Sequence, residues 1–240
     1  MPATHREEAM RQIELNDACA HADAMARAVA CELERTLASK ENACLAIAGD
    51  RLPLPLFKAL QQRALPWDRI SVMLVDERMV PLGHSDSNAR LVCDTLLREA
   101  AARASFQPPV PSFCMEIDEI DTSAVVSELN RNYRQPDVVV LAMGDDGHTA
   151  SLFADAPELP VGLSLTEPAG YLALNPRAAP HRRVSLNLSA LLGARRVLLS
   201  FSGPWKKQVF DAATMEPTPM LPVSYLLHQD STPVDVYWTQ

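Results

Sequence analysis

Apolar residues in this chain fall into two kinds of run, and the two kinds take turns. Short continuous stretches of Val, Ile, Leu and Ala read as buried strands at 44–48, 70–75, 137–142, 171–174, 184–188, 196–202 and 234–238, with a further short one near 113–115. Between them lie segments of helical character. Residues from Arg6 to about Ser39 carry no Gly or Pro and predict one long helix or two joined ones. Further helices are expected at 53–63, with Pro53 tolerated in the first turn, at 87–102, with Ser85, Asp86 or Ser87 as N-cap, at 121–134 and at 204–214. Strands alternating with helices, several strands apolar throughout, predict an α/β fold: a mostly parallel, Rossmann-like doubly wound sheet with helices on both faces. No repeat or linker divides residues 1–240, so a single domain is expected, with a small irregular lobe around 154–182 where Pro and Ala interrupt the pattern.

Three of the predicted strands end in polar clusters: Gly49-Asp50-Arg51, Asp76-Glu77-Arg78 and Asp145-Asp146-Gly147-His148. Any one alone reads equally well as a solvated turn. In a parallel sheet, however, such ends lie side by side at the edge where α/β proteins bind ligands. The third cluster is the most informative. His148 can take a proton from water near neutral pH, Asp146 can hold its ring in one tautomer, and Gly147 permits a positive φ. A helix expected to begin near Thr149 would add free N–H groups for an oxyanion. Two basic pairs, Arg182-Arg183 and Lys206-Lys207, also sit beside strands and offer contacts for a phosphate.

Composition narrows the classes. A net charge of −8 argues against a dedicated nucleic-acid or anionic-membrane surface, while 48% apolar and 22% charged residues are ordinary for a globular chain. No apolar run reaches the roughly 20 residues that span a bilayer, and the N-terminus does not read as a signal peptide. The five cysteines are an odd number with no C-x-x-C pair, which predicts buried free thiols in a cytoplasmic protein rather than disulfides or a zinc site. Only His5 and His21 lie within 20 residues of each other, so local spacing gives no support for a metal centre. Neither a G-x-S-x-G elbow, a P-loop nor G-x-G-x-x-G is present, which counts against a covalent serine hydrolase, an NTPase and a dinucleotide enzyme.

Taken together these segments resemble the 6-phosphogluconolactonase family, which shares its fold with glucosamine-6-phosphate deaminases. The resemblance runs through Ala48-Gly-Asp-Arg-Leu-Pro53 with Leu56-Phe57, and Val75-Asp-Glu-Arg-Met-Val-Pro81 with His84-Ser-Asp-Ser-Asn88. It continues through Gly144-Asp-Asp-Gly-His-Thr-Ala-Ser-Leu-Phe153, Arg183-Val-Ser-Leu186, Gly203-Pro-Trp-Lys206 and Val236-Tyr-Trp238. It implies hydrolysis of 6-phospho-D-glucono-1,5-lactone in the oxidative pentose phosphate route, with no cofactor and no metal. By the same resemblance His148 is the general base and Asp146 and Asp76 are acidic residues of its pocket. Arg78, Lys206, Arg183 and Arg51 line the phosphate end beside Gly49. A monomer, or at most a weak dimer, is expected.

Two positions depart from the family pattern. Asp50 stands where a second glycine is usual, and Leu52 where a small hydroxyl residue is usual, which implies weaker phosphate affinity or shifted specificity unless Asp50 pairs with Arg51 or points away from the phosphate. Two rival readings are an amino-sugar phosphate deaminase/isomerase and a catalytically weak sugar-phosphate-binding relative. Deaminases of this fold carry a glutamate five residues after the histidine, where this chain has Phe153.

Overall fold

The computed structural model describes residues 10–49 and 53–240. Among the described residues, ten strands form two sheets: β1 (Met10–Leu15), β2 (Ala43–Ile47), β3 (Ile70–Leu74), β4 (Asp76–Arg78), β5 (Ser105–Phe106), β6 (Val138–Ala142), β7 (Tyr171–Leu174), β8 (Arg183–Leu186), β9 (Arg196–Ser202) and β10 (Val234–Thr239). The larger sheet has the order β1-β10-β9-β6-β2-β3-β5 and is parallel throughout. The helices that cover it include α1 (Ala18–Leu37), α2 (Pro53–Gln61), α3 (Asn88–Thr95), α4 (Thr122–Arg131), α5 (Leu159–Leu163), α6 (Leu188–Leu192), α7 (Pro204–Ala213) and α8 (Val223–Leu227).

Alternation along β6 shows why both faces must be covered. Val139 and Leu141 join one apolar cluster with Phe201, Phe210 and Val236; Val138 and Val140 join another with Met25, Val29 and Phe57. Strand β6 sits between β9 and β2, and the chain order reverses there: β2 leads outward to β3 and β5, β9 outward to β10 and β1. The loops after β2 and β6 therefore flank a topological switch point, the crevice where ligands bind in open α/β sheets.

The smaller sheet, β4-β8-β7, is antiparallel and occupies part of the region expected to be irregular. Val75 joins the two sheets. Its N–H donates to Ile47 at 3.1 Å in the large sheet, and its carbonyl accepts from Leu186 at 2.8 Å in the small one.

Four expectations need correction. The helix expected to run from Arg6 is replaced over residues 10–15 by an edge strand in register with β10, and the start of that expected helix lies outside the described residues. Asn16-Asp17 ends that strand, and Asp17 caps α1 by accepting from Cys19 and Ala20 N–H, each at 2.8 Å. Residues 113–115 form no strand; the edge is completed by β5 instead. The helix expected over 87–102 stops at Thr95, and a 3₁₀ turn covers Glu99–Arg103; Ser87 is its N-cap. The cysteines are not uniformly buried: Cys44 and Cys114 are, Cys19 and Cys31 are exposed on α1, and all five are free thiols.

Candidate active site

Residues after β6 form a tight loop rather than the start of a helix. Gly144 N–H donates to the His148 carbonyl at 2.9 Å, and Gly147 N–H to the Gly144 carbonyl at 3.2 Å. Gly147 has φ 76°, a backbone conformation that favours glycine, and a Cβ there would also crowd the Leu221 side chain. Thr149 does not open a helix. It bridges to Met143 and Leu152, its hydroxyl donates back to the Ala142 carbonyl at 3.0 Å, and Ala150 turns to φ 50°, which a right-handed helix excludes. The expected supply of helix N–H groups is therefore absent from this loop.

The loop delivers a fixed imidazole. His148 Nδ1 lies 2.5 Å from Asp146 Oδ1, which also accepts the His148 backbone N–H at 3.2 Å. The ring stacks on Phe153 with centroids 4.0 Å apart and planes inclined by 22°. On the other side it crosses bare backbone, for a Cβ on Gly144 would fall 2.2 Å from His148 Cε1 and Nδ1. Partial burial pushes the Asp146 carboxyl up, but the hydrogen bond from His148, the charge of that ring and backbone N–H groups outweigh it, leaving it below its ordinary value. Asp146 is thus an ionised partner, its bond places the neutral ring's proton on Nδ1, and Nε2 has no hydrogen-bond partner among the described residues.

Basic groups converge from three elements. Lys206, in the first turn of α7, donates to the Met143 carbonyl at 2.7 Å and lies 3.9 Å from Asp145 Oδ1. Its neighbour Lys207 pairs with Asp211 at 2.5 Å on the same helix and takes no part. Arg78 on β4 and Arg183 on β8 are cross-strand partners. Arg78 donates to the Asp86 carbonyl at 2.7 Å, and the Arg183 guanidinium lies 5.2 Å from the Phe153 ring centre. Arg183 is only 6% exposed, while Arg182 contributes its carbonyl to Met79 and not its side chain to the cavity.

Asp76 is buried, with Oδ2 accepting from Ser151 Oγ at 2.6 Å and its carbonyl accepting from Asn88 Nδ2 at 2.9 Å. Gly49 abuts the same Asn88, which leaves no space for a Cβ. Arg51, with Asp50 and Leu52, lies outside the described residues.

These groups share one cavity of about 650 Å³, lined by His148, Gly144, Asp145, Gly49, Asp76, Arg78, Arg183 and Lys206, with Asp86 and His181 on its wall. Asp146 is not on the wall; it stands behind the ring it orients. A second cavity of about 600 Å³ against β3 and β5 contains none of these residues.

Sequence reasoning passed over four contributors. Glu77 reads as one more charge in a polar cluster, yet it is buried and accepts from the N–H groups of Arg78, Asn88 and Ala89 (2.7–2.8 Å) and from Ser87 Oγ at 3.1 Å. It fixes the start of α3 against β4. Ser151 and Asn88 fall within the motifs that carry the resemblance, but their contacts with Asp76 are set by the fold and not by spacing. The fourth is a cluster of His84, Asp86 and His181, assembled from two segments that local spacing treats separately.

Residues 16–238 match the family described as glucosamine-6-phosphate isomerases/6-phosphogluconolactonase. A 6-phosphogluconolactonase of Neisseria meningitidis is 37% identical over 227 residues, covering 95% of this chain and 98% of that protein. One from Pseudomonas putida is 38% identical over 232 residues, 96% of this chain and 93% of the relative. The crystal structure of a 6-phosphogluconolactonase from Shewanella baltica superposes with a TM-score of 0.87 at 32% identity, covering 96% of this chain and 98% of the other. A monomeric glucosamine-6-phosphate deaminase shares the fold at TM-score 0.73 and 18% identity, so the fold alone does not separate the two activities.

Proposed function

The chain belongs to the glucosamine-6-phosphate isomerase/6-phosphogluconolactonase family, and we propose that it hydrolyses 6-phospho-D-glucono-1,5-lactone to 6-phosphogluconate with His148 as general base. The observation that carries this reading is the Asp146–His148 contact of 2.5 Å in a cavity that also holds Arg78, Arg183 and Lys206. The full-length likeness to two 6-phosphogluconolactonases supports the choice of substrate.

In this mechanism the three cations hold the phosphate and place the lactone carbonyl near His148. Nε2 removes a proton from a water molecule as its oxygen attacks C1, and the imidazolium that forms is balanced by Asp146. A tetrahedral oxyanion results; its collapse breaks the bond from C1 to the ring oxygen, which leaves as the C5 hydroxyl after taking the proton back from His148. A δ-lactone is an activated ester, so one positioned base suffices to open it. Asp76, held by Ser151, supplies an acceptor for a sugar hydroxyl. Gly49 keeps the backbone after β2 open to the substrate, and Arg51 would add to the phosphate end.

The deaminase reading is not favoured, because Phe153 occupies the place of the expected glutamate and packs flat against His148. A pure binding role is disfavoured by the oriented dyad. The same reading takes residues 1–240 as one domain acting as a monomer or weak dimer in the cytoplasm, without nucleic-acid or membrane partners. Free thiols support the cytoplasmic location, and among the described residues no helix is long and apolar enough to cross a membrane.

The test is hydrolysis of lactone generated in situ by the purified protein and by His148→Ala. Hydrolysis well above spontaneous ring opening, lost in the variant, supports substrate and base together. A rate equal to the spontaneous one overturns the reading.

A further inference from the structure

We propose that His84, Asp86 and His181 form a binding site for a divalent transition cation, with zinc the ion best suited to its donors. Two imidazoles and one carboxylate each offer a ligand atom, and these atoms lie within 4.8 Å of one another. His181 Nε2 is 3.0 Å from Asp86 Oδ2, His84 Nδ1 accepts the Asp86 backbone N–H at 3.1 Å, and the two rings meet edge to face with centroids 5.4 Å apart. Around tetrahedral zinc, donors of this kind stand roughly 3.4 Å apart, so the present cluster needs only a small contraction. A cation would compete with two ordinary hydrogen bonds and take no strongly held group apart.

The backbone prepares this arrangement. His181 has φ 71°, an unfavourable conformation for a residue with a Cβ, and it is this turn that presents the ring to Asp86. The facing loop is fixed from both sides, by Arg90 donating to the Gly83 carbonyl and Arg78 to the Asp86 carbonyl, each at 2.7 Å. Strain on one segment and anchoring of the other converge on the same three side chains. Asp86 and His181 also lie on the wall of the reaction cavity. With three protein ligands, a fourth position is left for water or an oxygen of a bound molecule. The nearby positive charge of Arg78 opposes the ion, so affinity on the order of micromolar is expected rather than the tighter binding of a structural zinc.

The test uses the full-length protein, freed of metal with chelator and dialysed. Zinc chloride is titrated by calorimetry, and cobalt(II) by visible absorption. One saturable site with four-coordinate cobalt bands is expected, weakened at least tenfold in His84→Asn and in His181→Asn and unchanged in His148→Asn. Should a histidine variant fail to fold, as judged by its thermal midpoint in chelator, Asp86→Asn is held to the same tenfold criterion. Absence of a saturable site in the unaltered protein overturns the proposal. So does loss of binding in His148→Asn with retention in the other variants, or a thiolate charge-transfer band from exposed Cys19 or Cys31. Binding is read without turnover, so its failure leaves the lactonase reading untouched.

Discussion

Arg78 and Arg183 stand directly opposite each other across the β4–β8 pair, both facing a cavity that also holds Lys206. Guanidinium groups that reach one cavity from two strands offer charge-assisted hydrogen bonds to an anion held there. Inorganic phosphate and 6-phosphogluconate are therefore expected to raise the thermal midpoint. A ligand at a hundred times its Kd adds about 2.7 kcal/mol, on the order of 5–10 °C for a chain of this size. Scanning calorimetry with Arg183→Met checks this. An equal rise in the variant would place the anion elsewhere.

His148→Ala and Asp146→Asn are expected to fail in different ways. The first removes the base and should lower kcat by ~10²–10⁴. The second keeps the base but removes the acceptor that fixes its tautomer and balances the imidazolium, so kcat should fall while KM changes little. Neither side chain belongs to the apolar core, so both proteins should unfold near the normal temperature. Steady-state kinetics with a continuous acid-release assay would reveal the difference; a KM effect alone in Asp146→Asn would show that it acts on binding.

Gly144→Ala tests the ring's seat. The added Cβ would fall 2.2 Å from two atoms of His148, so the imidazole must leave its place over the loop. Activity is expected to drop at least tenfold with a modest loss of stability, and a crystal structure of the variant should show the ring rotated away from Asp146. Full activity would mean that the loop yields and the ring does not.

Glu77 gives a pH dependence with a definite sign. Burial pushes its carboxyl from 4.5 up to about 7, against the backbone N–H groups of Ala89, Asn88 and Arg78 that favour the ionised form. Because the folded-state value lies above the unfolded one, the folded protein holds the proton more tightly. The resulting stabilisation is full below about pH 4.5 and is lost by about pH 7. Glu77→Gln cannot titrate, so relative to it the unaltered protein should lose stability across that window. Denaturant titrations at several pH values would show the two curves converging or crossing; parallel curves would show that four donors keep the carboxylate ionised throughout.

Much of this was legible from the chain because strand cores announce themselves. The runs at 171–174 and 196–202 form strands with those very bounds, and the loop after β6 carries its Asp-Gly-His signature openly. The errors arose where local preference competed with tertiary pairing. Residues 10–15 have helix-forming composition yet complete a sheet edge beside β10, and Thr149 is held by a strand carbonyl instead of opening a helix. Contacts such as Ser151 with Asp76, 75 positions apart, leave no trace in spacing. Nor does the meeting of His181 with Asp86, because it depends on a backbone turn that a histidine does not advertise.

The bridging role of Val75 has a consequence for how such a protein can change. The imidazole assigned to proton transfer in the proposed mechanism belongs to the loop after β6, while two of the three cations belong to the small sheet. The sheets are tied by the Val75 backbone and by the Tyr171 hydroxyl on the Leu74 carbonyl, and the loop after β6 reaches the small sheet through Ser151. A substitution at Arg78 can retune which anion is held while leaving the Asp146–His148 pair untouched, whereas changes at Asp76 or Arg183 reach the loop after β6 through Ser151 and Phe153. Two activities on one scaffold are what such a division of labour permits.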